Sequence, residues 1–125
     1  MKREIKFRAY YPTDKQMISW STLIQSAWNT YRGNTPLSLI YEILVARKDD
    51  FNVMQYTGLK DKNGVEIYEG DIYHQGDKNI TYKVIYKDVG FIGNQIGNKS
   101  LSGISHFIKD IEVIGNIHEN PELIK

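Results

Sequence analysis

At 125 residues and 14.5 kDa the chain has the size of one domain able to bury a real core, and 41% hydrophobic with 25% charged residues excludes a disordered tail. It contains no cysteine, which excludes a disulfide framework and a thiolate metal site and suits a reducing compartment. The net charge of +1 is unevenly placed: residues 1–47 hold seven Lys/Arg against three Asp/Glu, residues 48–125 nine against twelve. Opposed halves can attract each other within one fold or between copies, and they make a general nucleic-acid footprint less compelling than a uniformly basic chain would. The basic start, MKREIKFRAYY, has no apolar run behind it, and the greasiest stretch, Leu37 to Ala46, is broken by Ser38 and Glu42. Neither secretion nor membrane insertion is expected.

Glu4 to Tyr10 alternates, with Ile5, Phe7 and Ala9 on one face and Glu4, Lys6 and Arg8 on the other, the period of a half-buried strand. Pro12 and Asp14 supply turn chemistry before Met17, Ile18 and Trp20 resume an extended run, so a hairpin is expected. From Ser21 the apolar positions Leu23, Ile24, Ala27, Trp28 and Tyr31 fall at helical spacing, with Ser21 or Thr22 as cap and Gly33 as stop. Thr35 before Pro36 reads as a second cap, and the stripe Leu37, Ile40, Tyr41, Leu44, Val45 favours a helix over 37–46. A buried strand remains the rival there, because periodicity cannot settle so short a run.

Beyond Phe51 the texture becomes short β-rich runs punctuated by glycine. Val53 to Thr57 reads as a strand, Asn63-Gly64 as a tight reversal that uses positive φ, and Asp71 to His74 as the start of the next strand. Ile80, Tyr82, Val84 and Tyr86 then share one face while Thr81, Lys83 and Lys87 take the other. Lys87, Asp88 and Gly90 turn the chain into Phe91 to Ile96. A loose segment spans Gly97 to Gly103, and Ile111, Val113 and Ile117 form a last strand, either buried on both sides or bulged at Gly115.

Three blocks together carry a family resemblance: EIKFRAY near the start, MQYTGLKDKNGVEIYEGDI from Met54 to Ile72, and EVIGNIHENPEL from Glu112 to Leu123. In that order they resemble the YopX family, small proteins encoded by temperate phages and prophages of low-GC Gram-positive bacteria. The resemblance implies a largely β fold, expression in the host cytoplasm, and no assigned biochemical activity. It is weakest from Trp20 to Asp50, and it brings no catalytic residues with it.

The residues themselves name no reaction. GNQIGNKS, Gly93 to Ser100, nearly spells a phosphate loop, but its second glycine comes one residue early, Asn98 stands beside Lys99, and no helical stripe follows. Glu66, Glu69 and Asp71 could ligate a divalent cation, yet Glu66 and Glu69 face opposite sides of a strand and Asp71 suits a turn staple. His74, His106 and His118 are far apart and read as surface or rim histidines, and there is no G-x-S-x-G elbow. Lys2, Lys6 and Arg8, with Tyr10, Tyr11 and Trp20, form the best contact patch: cations suit phosphates and rings suit unpaired bases. Charges on an edge strand that block sheet pairing, and aromatics that close a core edge, explain the same residues.

The expectation is therefore a mostly β fold with a small α insertion, its twisted antiparallel sheet becoming barrel-like (SH3-like) in the C-terminal half. It is one YopX-like domain over 1–125, with a hairpin and helical or irregular insertion in 1–50 and a β-rich subregion in 51–125. Functionally it reads as a phage or prophage accessory protein without enzymatic activity, a self-associating protein-binding module in the bacterial cytoplasm. Its expected partners are further copies of itself and a host or phage protein. A nucleic-acid-binding module using the basic and aromatic N-terminal strand is the alternative; no catalytic residue, metal or cofactor is expected.

Overall fold

The hairpin chemistry at Pro12 to Lys15 works as written. β1 (Phe7–Tyr11) returns as β2 (Gln16–Ile18), with Ala9 opposite Ile18 and Lys15 at φ 54 closing the turn through its N–H to the Pro12 carbonyl. The computed structural model describes residues 4–31, 48–88 and 90–124. The helix stop at Gly33, the helix-or-strand choice over 37–46 and the position of Lys2 therefore lie outside the described residues. Those described fall into two compact units, one running from Lys6 to Gln55 and the other starting at Tyr56 and including Glu4 and Ile5. The fold is mostly β: two antiparallel sheets, one curled into a half-barrel, and one short helix.

In the first unit β1 has a neighbour on each side, since Ala9 also pairs with Val53 at the start of β3 (Asn52–Lys60). β1 is thus a central strand, which corrects the edge-strand reading of its charges. α1 (Trp20–Tyr31) begins one residue before the expected caps. Ser19, not Ser21 or Thr22, is the cap: its Oγ accepts the Thr22 N–H at 3.3 Å. Trp20 is accordingly the first helical residue and not the end of a strand. Leu23 then buries against Ala9, with Ile18, Trp20, Phe51 and Val53 around them.

In the second unit the later half of β3 pairs with β4 (Glu66–Tyr68), which sets the Tyr56 and Tyr68 rings 5.4 Å apart. The other sheet runs in the order β8-β7-β6-β5-β9, from β5 (Asp71–His74), β6 (Thr81–Lys87), β7 (Gly90–Gln95), β8 (Leu101–Ser102) and β9 (Glu112–Asn116). Alternation holds at the centre of β6, where Tyr82 and Val84 face the core cluster of Ile67, Tyr73, Ile104 and Ile111, whereas Ile80 precedes the strand and Tyr86 is exposed. Burying each such side chain contributes about 1.5 to 3 kcal/mol. The segment expected to be loose, Gly97 to Gly103, contains β8, a two-residue edge strand too short to invite further pairing. At the other edge Ile72 pairs with Gly115 but Tyr73 with Val113, so Ile114 is the extra residue of a β-bulge beside Gly115.

Candidate contact surface

In the central block Thr57, Asp61 and Asp71 are occupied by the backbone, while Glu66 Oε1 accepts the Tyr68 hydroxyl at 3.4 Å. Gly64 sits at φ 83 in the turn between β3 and β4, as its sequence position demands. The buried Asp61 carboxylate accepts the N–H groups of Asn63 and Val65 with Oδ1 and that of Val113 with Oδ2, each at 2.9 Å. One side chain therefore shapes the turn and fastens it to β9. Asp71, buried, accepts the Tyr68 N–H at 2.7 Å, the staple expected of it, and Thr57 Oγ1 donates to the Ile67 carbonyl. Among the described residues no three His, Cys, Asp or Glu side chains gather at metal-binding distance. Asp61 escaped the sequence reading, although an Asp two residues before Asn-Gly is an Asx-turn signal.

The C-terminal block is built the same way. Asn116 Oδ1 accepts the N–H groups of His118 and Glu119, while Asn120 Oδ1 accepts the Asn116 N–H at 3.1 Å. Gly115 makes room for this, because a Cβ there would stand 2.5 Å from Asn120 Oδ1.

His74 departs from the expected rim position: it is 2% exposed. Its Nδ1 accepts the Gly76 N–H, so Nε2 carries the proton and donates to Glu112 Oε1 at 2.8 Å. Both ring nitrogens are therefore engaged, and the pair resembles a structural strut more than a base awaiting a substrate. Asn63 Nδ2 also donates to Glu112. The His74 hydrogen bond, with smaller help from Lys62 and Asn63, holds the Glu112 carboxyl below its ordinary value of 4.5. A lowered folded value means that this stabilisation is complete above the unfolded value and disappears as pH falls through the folded one. The melting-temperature advantage over Glu112→Gln should accordingly be present near neutrality and shrink as pH drops below 4.5. An advantage that stays constant into strong acid would rule the linkage out.

The N-terminal patch is only partly a surface. Lys6 and Arg8 are half-buried, and Tyr10 is buried at 8% exposure. Tyr11 stacks on Phe51 with centroids 4.8 Å apart, and Trp20 lies 6.2 Å from Phe7. These rings have much of their faces covered within their own unit.

The outer face of the five-stranded sheet is more open. Lys83 stands opposite Asn94, which stands opposite Leu101, and Ile85 pairs with Ile92 in the next row but one. Leu101 is 43% exposed and Ile124 41%. Lys83, Asn94, Gln95, Ile96, Gly97, Asn98, Lys99 and Ile124 surround a hollow of about 310 Å³, with no Asp or Glu among these described lining residues. Sequence reading singled out this loop as a failed phosphate loop; that Lys83 from β6 joins it is a matter of register.

A small, mostly β protein whose characteristic residues serve turns and strand joints, with Leu101 and Ile124 exposed beside a polar hollow among the described residues, is the class these features define. The chain belongs to the YopX family, whose model, described as YopX protein, matches residues 6–125. It is similar in structure to protein EF1440 from Enterococcus faecalis, solved by crystallography: 26% sequence identity and a TM-score of 0.64, covering 99% of this chain and 100% of that one. No curated protein matches it. No helix among the described residues is long and apolar enough to cross a membrane.

Proposed function

We propose that this chain is a non-enzymatic phage accessory protein, acting in the host cytoplasm as a module that associates with itself and with a host or phage protein. The contact surface is the outer face of the five-stranded sheet with the loop from Gly93 to Gly103. What supports this reading is a contrast in how side chains are used. The buried polar residues Asp61, Asp71, His74 and Asn116 all serve the backbone or each other. Leu101, Ile92, Ile85 and Ile124 meanwhile leave apolar surface at or near solvent around Lys83. Apolar groups rimmed by polar ones are how contact patches are built.

Multi-angle light scattering tests the self-association. The purified chain should elute with a mass above that of one copy, and Leu101→Lys should return it toward the single-chain mass while its melting temperature stays unchanged, since Leu101 is exposed. A single-chain mass at every concentration sinks the self-association. The nucleic-acid alternative retains Lys6 and Arg8 but has few open rings to stack on bases. It requires a nucleic-acid mobility shift that weakens steeply with salt.

A further inference from the structure

We infer that the hollow beneath the β7–β8 loop is a carboxylate pocket, which receives an acidic side chain of a protein partner; this rests on the protein-binding reading of the same face. Lys83 and Lys99 both line the hollow, and no hydrogen bond or ion pair engages either ammonium among the described residues. Lys83 is half-buried in the middle of β6, so its stem is packed along the sheet while its ammonium reaches the rim of the hollow. The amides point the same way. Asn98 Oδ1 is already occupied by the Ser100 N–H at 2.7 Å, which leaves Asn98 Nδ2 as its remaining polar function, a donor. Asn94 and Gln95 add further amides, and no Asp or Glu competes from the wall. A half-buried cation, an exposed second one and amide donors, with no counter-charge among the described lining residues, call for an oxyanion.

The loop's own backbone decides between a carboxylate and a phosphate. Phosphate cradles are made of free backbone N–H groups. Here Gln95 N–H donates to the Ser100 carbonyl, Ile96 N–H to the Thr81 carbonyl, Asn98 N–H to the Gln95 carbonyl and Ser100 N–H to the Asn98 side chain. What remains are the N–H groups of Gly97 and Lys99, which are not consecutive and so form no cradle, together with the side-chain donors on one rim, a set suited to a planar carboxylate. Ile124 in the wall, and exposed Leu101 across from Asn94, supply apolar contact for residues flanking the acid. A phosphate-bearing strand is the competing occupant, and the phosphate arm of the test separates it.

The test is an amide NMR titration of the full chain with three probes: a capped peptide alternating Leu and Glu, its Leu/Gln twin, and inorganic phosphate. The Glu peptide should shift the Lys83 and Gln95 to Lys99 amides, with the Gln twin and phosphate leaving them in place. Lys83→Gln with Lys99→Gln should weaken the Glu peptide about tenfold or more while the melting temperature holds. Shifts from phosphate alone, equal shifts from both peptides, or none from the Glu peptide overturn the pocket. The two claims fail separately: a chain that stays monomeric yet takes the Glu peptide keeps the pocket and loses self-association. An oligomer dispersed by Leu101→Lys with a silent loop keeps the contact face and loses the pocket.

Discussion

Asp61→Ala should be among the most damaging single substitutions in the protein, lowering stability by about 3 to 5 kcal/mol. The carboxylate accepts three backbone N–H groups, at Asn63, Val65 and Val113, and alanine replaces none of those acceptors. Water can reach the exposed Asn63 more easily than the Val113 amide, which belongs to the β9 ladder, so the loss concentrates where the turn meets that strand. Asp61→Asn keeps one carbonyl oxygen but sets an amide NH2 against a donor, and should cost roughly half as much. Urea unfolding measures both, and hydrogen exchange at Val65 and Val113 should accelerate in parallel. A loss of under about 1 kcal/mol for the alanine variant would mean the carboxylate is not the joint described.

Gly93→Ala should cost about 3 kcal/mol or more for a different reason. Tyr73, 0% exposed, stacks on Tyr82 at 5.3 Å and runs its ring onto the backbone of Gly93. A Cβ there would collide with Tyr73 Oη, stand 2.9 Å from Cζ and 3.3 Å from the Ser102 carbonyl oxygen. Tyr73 has no room to retreat within the core. Its hydroxyl finds no hydrogen-bond partner among the described residues, and burial first, then the neighbouring Tyr82, drives its pKa upward. Tyr73→Phe removes an unsatisfied polar group and should be neutral or stabilising by up to about 1 kcal/mol. In the double variant the worst clash is gone, so Tyr73→Phe should recover at least about 1 kcal/mol of the Gly93→Ala loss. Strictly additive effects in that cycle would show that the two residues do not meet.

Much of the local structure was readable from neighbouring residues. Thr81 to Lys87 announces its two faces by alternation, and Gly64 takes the positive φ that its turn requires. Where the structure departs from that reading, the cause is a contact with a residue distant in the chain. Ser19, Ser21 and Thr22 are all competent caps, and which of them ends the extended run depends on where Trp20 finds apolar cover, beside Phe7. β1 looked like an edge because its second neighbour, β3, arrives more than forty positions later.

The candidate surfaces were less legible. Lys6, Arg8, Tyr10, Tyr11 and Trp20 form a plausible patch on paper, but a ring's availability depends on what covers it, and Phe51 covers Tyr11. The loop from Gly93 to Gly103 was visible as irregular chain, whereas the Lys83 ammonium on its rim comes from another strand.

By itself the order of amino acids determined the β periodicity, the glycine-dependent turns, the absence of thiol chemistry and membership of the YopX family, since each is a property of adjacent residues or of a run of them. Only the tertiary structure decided that Asp61 reaches Val113, 52 positions away, and that His74 is buried against Glu112. The bulge at Ile114 is the physical reason for the second: without that extra residue His74 would stand opposite Val113 instead of Glu112. A one-residue change in register reassigns every partner along a strand, and nothing in the immediate neighbours of a histidine records it.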